Sequence, residues 1–222
     1  YKNSITKKKH FQVKIKRKEK NMDQELKKSY KKVNNEYFAN SNSLHKLGTN
    51  AKKLENAATN QILNVLNLEN YEIIYTSGNA ESYELLSQNY KDLKTNDQNL
   101  NKLLENKNKT KNIKTHINLT KPQEEDLNKY DFITIEDEIP FFGVLIKRKN
   151  IELTPLIHGG KSLSIYRSGT PQTGLITSSS VAIKEAFSEL DKKYKYVKEL
   201  NTYLKEAIKD IVLINSNDKC IP

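Results

Sequence analysis

From Asp23 onward, Leu26, Tyr30, Val33 and Tyr37 recur at spacings of three and four, which places them on one face of an α-helix. The polar run Ala39-Asn40-Ser41-Asn42-Ser43 ends that pattern, and Ser43 is placed to cap a second helix. This second helix carries Leu44, Leu47, Ala51, Leu54, Ala58, Ile62 and Leu66. The period then shortens. Tyr71-Glu72-Ile73-Ile74-Tyr75-Thr76 predicts a strand, broken by Ser77-Gly78-Asn79 ahead of a helix from about Ala80 to Asn89.

Residues 91–128 are rich in Lys and Asn and carry weaker signals: a short helix around Leu100, Leu103 and Leu104, and a strand over 113–119. Apolar runs at 130–135 and 141–146 predict two buried strands. An apolar stretch at 151–157 leads to Gly159-Gly160 and to Tyr166-Arg167-Ser168-Gly169-Thr170-Pro171. Helical spacing returns over 173–190 and 194–209, and Ile211-Val212-Leu213-Ile214 predicts a last strand. Strands alternating with helices predict an α/β layered fold.

Charge is concentrated at one end. Residues 1–20 hold nine basic side chains against Glu19, a net +8, whereas the remaining 202 residues carry 29 basic and 26 acidic groups, a net +3. In this basic segment Phe11, Val13 and Ile15 alternate with polar residues, which permits a short strand; the flanking lysines suit a solvated tail equally well. Because only Arg17, Arg148 and Arg167 are arginines, the cations are almost all Lys, whereas base and phosphate readout favours the bidentate guanidinium.

Several classes are excluded. No apolar run approaches the roughly 20 residues of a membrane-spanning helix. A lone cysteine, Cys220, builds neither a disulfide framework nor a zinc cluster, and it fits a reducing, cytoplasmic setting, with an organellar matrix as the other option. Glu136-Asp137-Glu138 alternate faces and lack partners, so no metal site is assigned there. His45 and His158 read as turn or packing residues. The strand, small-residue turn and helix start at 76–80 present free N–H groups to an anion, although an ordinary βα turn looks the same in sequence.

Four blocks in order carry a family resemblance. Asn40-Ser41-Asn42-Ser43-Leu44-His45-Lys46-Leu47-Gly48 resembles the Asn-Pro-Ser-Ser-x-His-x-x-Gly segment of cysteine desulfurases, pyridoxal-phosphate enzymes of the class V aminotransferase type. Thr76-Ser77-Gly78-Asn79-Ala80-Glu81 resembles their Thr-Ser-Gly-x-Thr-Glu turn. Pro155-Leu156-Ile157-His158-Gly159-Gly160 and Arg167-Ser168-Gly169-Thr170 resemble their Pro-Leu-x-x-Gly-Gly and Arg-Ser-Gly-Thr motifs.

The resemblance implies a truncated fold-type I large domain, a mixed sheet with flanking helices, over 23–210. Residues 1–22 form a basic extension, and 211–222 form the start of a small C-terminal domain. It implies a homodimer with cofactor sites shared across the interface, and transfer of sulfur from L-cysteine to a cysteine thiol. A sulfur-acceptor or iron–sulfur scaffold protein is the implied partner. Pyridoxal phosphate would be held by Asn79 and Ala80 at its phosphate and by Asn118 at its ring nitrogen. Thr170 would reach the phosphate of the neighbouring subunit.

The departures are as informative as the matches. An ungapped match from Asp131 puts Glu138 where the family has the lysine that binds the cofactor covalently, and a carboxylate cannot form an imine. Asn118 replaces an aspartate, which weakens the electron sink. Ala80 replaces a threonine hydroxyl. The opening Asp-Asn-Ala-Ala-Thr-Thr run has no counterpart, the middle is compressed into 91–115, and Cys220 is not in the place of the catalytic cysteine. No catalytic residue is therefore assigned, covalent cofactor attachment is not expected, and the protein is expected to be inactive in this form. The alternative is a non-enzymatic binding or assembly protein whose basic tail contacts RNA or another polyanion.

Overall fold

The computed structural model describes residues 20–90, 92–94, 110–117, 126–135, 142–160, 165–212 and 214. Four of the expected strands, with a short one at 92–94 that the sequence did not announce, form one mixed sheet. Its members are β1 (Tyr71–Thr76), β2 (Asp92–Lys94), β3 (Thr110–Ile117), β4 (Phe132–Ile135) and β5 (Gly143–Arg148), in the spatial order β1-β5-β4-β3-β2. Pairings β2–β3 and β3–β4 are parallel. By contrast β5 is antiparallel to both of its neighbours, β1 and β4. The C-terminal ends of β1 and β4 therefore lie at the same end of the sheet.

Five helices accompany the sheet among the described residues: α1 (Lys20–Glu36), α2 (Lys46–Val65), α3 (Asn79–Asn89), α4 (Thr173–Ser188) and α5 (Leu190–Ile208). Alternation along β1 explains the layers. Tyr71 and Ile73 face a core shared with Ala58 and Ile62 of α2 and with Ile176 and Ile183 of α4. On the opposite side, Ile74 packs with Leu145, with Tyr83, Leu85 and Leu86 of α3, and with Ile151, Leu153 and Tyr166. Helix α1 lies on α4, where Gly174 leaves the space that Asn34 and Tyr30 fill.

The structure corrects several boundaries. His45, not Ser43, caps α2: its Nδ1 accepts the Gly48 N–H at 3.1 Å. The apolar run ending at Ile214 forms no strand at its described positions; Ile211 and Val212 instead turn back and donate their N–H groups to Ile208 O. The two C-terminal helices meet at Glu189, so the second begins four residues earlier than Tyr194. The strand expected over 113–119 already starts at Thr110, with 118 and 119 outside the described residues, and the one expected over 141–146 is β5, beginning at Gly143. The helix expected near Leu100 lies outside the described residues. Among the described residues no helix is long and apolar enough to cross a membrane.

Candidate functional site

The site is built where β1 gives way to α3. Gly78 is the residue before the helix, with φ 154° and ψ 178°, a conformation open essentially to glycine alone, and it contributes no side-chain cap. The first turn of an α-helix leaves its N–H groups without intrahelical acceptors; here the first helical bond is Ser82 N–H to Gly78 O at 3.2 Å. Among the described residues the N–H groups of Asn79, Ala80 and Glu81 thus meet no acceptor and form a positively polarised end.

Beneath this turn Thr76 holds the geometry. Its Oγ1 donates to Gly78 O at 3.0 Å and lies 2.9 Å from Ser82 Oγ, tying the end of β1 to the first turn of α3. Gly143 makes the close approach possible: a Cβ there would lie 2.5 Å from Thr76 Oγ1 and 2.7 Å from Gly78 Cα. The first residue of β5 is in this way shaped by the turn at the far end of β1.

Glu81 closes the turn from above. Its Oε2 accepts the Ser77 N–H at 2.8 Å, and Arg167 donates through Nε to Oε1 at 3.0 Å and through Nη2 to Oε2 at 3.5 Å. Burial alone would raise the Glu81 carboxyl, but the hydrogen bonds from Arg167 and Ser77 and the guanidinium charge outweigh it and hold the group below the ordinary glutamate value. The Arg167 segment is itself anchored: Tyr166 is buried in the second core, Ser168 N–H donates to Ile157 O at 3.1 Å, and Ser168 Oγ donates to Gly160 O at 3.0 Å. The glycine-pair block and the Arg-Ser-Gly-Thr block are therefore one folded unit pinned to the start of α3.

Of the residues expected from sequence, Asn79 and Ala80 stand at this helix start. Ala80 is exposed, whereas Asn79 buries its side-chain oxygen without a hydrogen-bond partner. Thr170 is exposed, three residues along the chain from Arg167. Asn118, Glu138 and Cys220 lie outside the described residues. The Glu81–Arg167 pair was missed by sequence reasoning, although a glutamate three residues after a helix-capping position is a recognisable signature.

Lys129 and Lys147, the lysines nearest the Glu138 slot in sequence, are both at the wrong end of the sheet. Lys129 is exposed on the turn preceding β4, and Lys147 pairs in register with Glu72, four strand residues or roughly 13 Å from Thr76. Lys147 is also 0% exposed, and its ammonium donates to Glu72 Oε1, to Ile151 O at 2.6 Å and to Arg148 O at 3.2 Å, with the Tyr166 ring centroid at 4.4 Å. Its nitrogen is held by three acceptors at this end of the sheet, away from the start of α3.

A profile of the family described as aminotransferase class-V matches residues 19–136, more than half of the chain. The chain belongs to that family. Class V membership implies dependence on pyridoxal phosphate. A NifS-like protein from Rickettsia africae ESF-5 superposes with a TM-score of 0.69 over 84% of this chain and 71% of that one, at 18% identity. DndA from Streptomyces lividans gives 0.64 over 83% and 75%, at 16% identity. A cysteine desulfurase from Thermococcus onnurineus NA1 gives 0.59 over 82% and 70%, at 11% identity. At these identities the likeness shows the fold alone, a mixed α/β fold with a small sheet and flanking helices. It extends past the profile match into the second half of the chain.

The residues present fit the phosphate end of that cofactor. The helix start carries N–H groups free of intrahelical acceptors, and Asn79 beside them buries a side-chain oxygen without a hydrogen-bond partner among the described residues. The carbonyl end finds no amine in Lys129 or Lys147.

Proposed function

We propose that this class V protein belongs to the cysteine-desulfurase branch, holds pyridoxal phosphate reversibly at the start of α3, and does not release sulfur from L-cysteine in this form. The observation that carries the reading is the combination of an uncapped helix start at Asn79–Glu81 with a Lys147 that is fully committed at the opposite end of the sheet. Glu138 in the place of the family lysine supports it from sequence. Bound pyridoxal phosphate supplies an electron sink for amino acids. Asn79, Ala80 and Glu81 would hold its phosphate through backbone N–H groups, and Asn118 would meet its ring nitrogen, a neutral contact that withholds the charge an aspartate provides.

Exposed Thr170, on a segment anchored through Tyr166 and Arg167, supports a homodimer in which this hydroxyl serves the partner's phosphate. On the same reading the protein works in the cytoplasm or an organellar matrix beside a sulfur-acceptor or iron–sulfur scaffold protein, and residues 211–222 begin a small C-terminal domain. The test is direct. The purified chain is saturated with pyridoxal phosphate, reduced with borohydride and weighed intact, and sulfide is assayed with L-cysteine. Reversible binding, an unmodified mass and no sulfide are expected. A cofactor-weight adduct or steady sulfide release overturns the reading.

A further inference from the structure

Glu81 presents a problem to any phosphate arriving at α3. A carboxylate in the first helical turn suits the helix dipole by itself, but it also faces an incoming dianion at short range, where like charges repel. Its side chain is only 11% exposed, so water screens it poorly. The Ser77 N–H on Oε2 keeps the carboxylate folded over the turn and prevents it from swinging away.

We propose that Arg167 is a positioning residue of the cradle, one that neutralises Glu81 so that the α3 start accepts the cofactor phosphate. The proposal rests on the reading of this helix start as the phosphate cradle. Arg167 meets the two oxygens of Glu81 with two nitrogens of its planar fork, a fixed geometry that the single nitrogen of a lysine lacks. Its backbone is fixed from both sides, by Tyr166 in the core and by Ser168 on Ile157 and Gly160. The guanidinium therefore stands over Glu81 before any ligand arrives. Glu81 and Arg167 together present a neutral unit that sets the turn, and the helix N–H groups retain their positive field for the anion.

The signature of this arrangement is rescue. Binding of pyridoxal phosphate and of unphosphorylated pyridoxal is measured by equilibrium dialysis for the full chain and for R167Q, R167K, E81Q and the double variant E81Q/R167Q. R167Q is expected to weaken pyridoxal phosphate roughly tenfold, the scale of one uncompensated charge near a bound dianion, with pyridoxal little changed. E81Q/R167Q is expected to recover most of that loss, because the offending carboxylate is gone. R167K keeps the charge and loses the fork, so a smaller, phosphate-selective loss is expected; it carries the comparison if R167Q does not fold.

A purely structural strap behaves differently. If the double variant binds no better than R167Q, or if pyridoxal weakens in parallel with its phosphate, the proposal is overturned while the cradle stands. A wild-type chain that takes up neither pyridoxal phosphate nor inorganic phosphate overturns the cradle and the proposal with it.

Discussion

Glu72 and Lys147 face each other across the β1–β5 ladder, and the Lys147 ammonium spends one of its three protons on the Glu72 carboxylate. The other two go to the carbonyls of Arg148 and Ile151. A charge removed from water persists in a core only when it is paired and fully hydrogen-bonded, and this lysine meets both conditions.

Replacing Lys147 by Met is expected to lower stability by about 1–3 kcal/mol, because the Ile151 carbonyl loses its donor in a buried setting. Glu72 is partly exposed and regains water, which limits the loss. The urea midpoint reads the change. Uptake of pyridoxal phosphate by the folded variant is expected to match the wild type, since the amine lies at the far end of the sheet from the cradle.

The Glu81 carboxyl sits below its ordinary value in the folded protein, so the unfolded chain binds the proton more readily as the solution is acidified. Its contribution to stability is complete above the ordinary glutamate range of about 4.3 and is lost as pH falls through the depressed folded value. Thermal melts in this acid window are expected to fall less steeply for E81Q than for the wild type.

Glu55 is fully buried on α2, with Oε1 accepting from Thr173 Oγ1 at 2.6 Å and Oε2 without a partner. Removing this donor leaves both oxygens buried and unmatched among the described residues, so T173A is expected to destabilise by about 2–3 kcal/mol. Replacing the acid by an apolar residue of similar size removes the demand for a donor, and E55M is expected to be better tolerated than T173A. Chemical denaturation of the two variants ranks them.

A methyl at Gly143 has no room between Thr76 and Gly78. G143A is expected to destabilise by about 1–3 kcal/mol through backbone displacement and to weaken pyridoxal phosphate binding, because it moves the turn itself. Parallel denaturation and dialysis measurements check both effects.

Tyr75 stacks on Phe142 with ring centroids 5.5 Å apart, and its hydroxyl lies 2.9 Å from Thr59 Oγ1. Burial pushes the phenol up, so the unfolded chain ionises first as pH rises past about 10 and stability declines there. Y75F is expected to flatten the alkaline limb of the stability profile.

Much of the scaffold was legible because β1, β4 and β5 are short apolar runs between polar breaks, and α1 to α3 keep a helical period. The cap of α2 was not, since a histidine nitrogen at His45 took the role that Ser43 offers in sequence. Ile211 and Val212 look like a strand by composition, yet their N–H groups close the end of α5. At the site, Ser77-Gly78-Asn79 marked the break between β1 and α3. The guanidinium over Glu81 could not be read in the same way, because residues 81 and 167 meet only through the tertiary fold, and Lys147 looked ordinary until its three acceptors were in place.

The β1–β5 ladder joins Tyr71 to Arg148 and Thr76 to Gly143, so its first strand is synthesised long before its partner. On the ribosome β1 emerges as an apolar segment and waits through all the intervening chain for the strand that covers it. Pairing between such distant positions forms late, and an unpaired edge is open to intermolecular contact meanwhile. Newly made chains are therefore exposed to aggregation until β5 arrives, and production of this protein is expected to depend on chaperones or slow translation more than its final stability indicates.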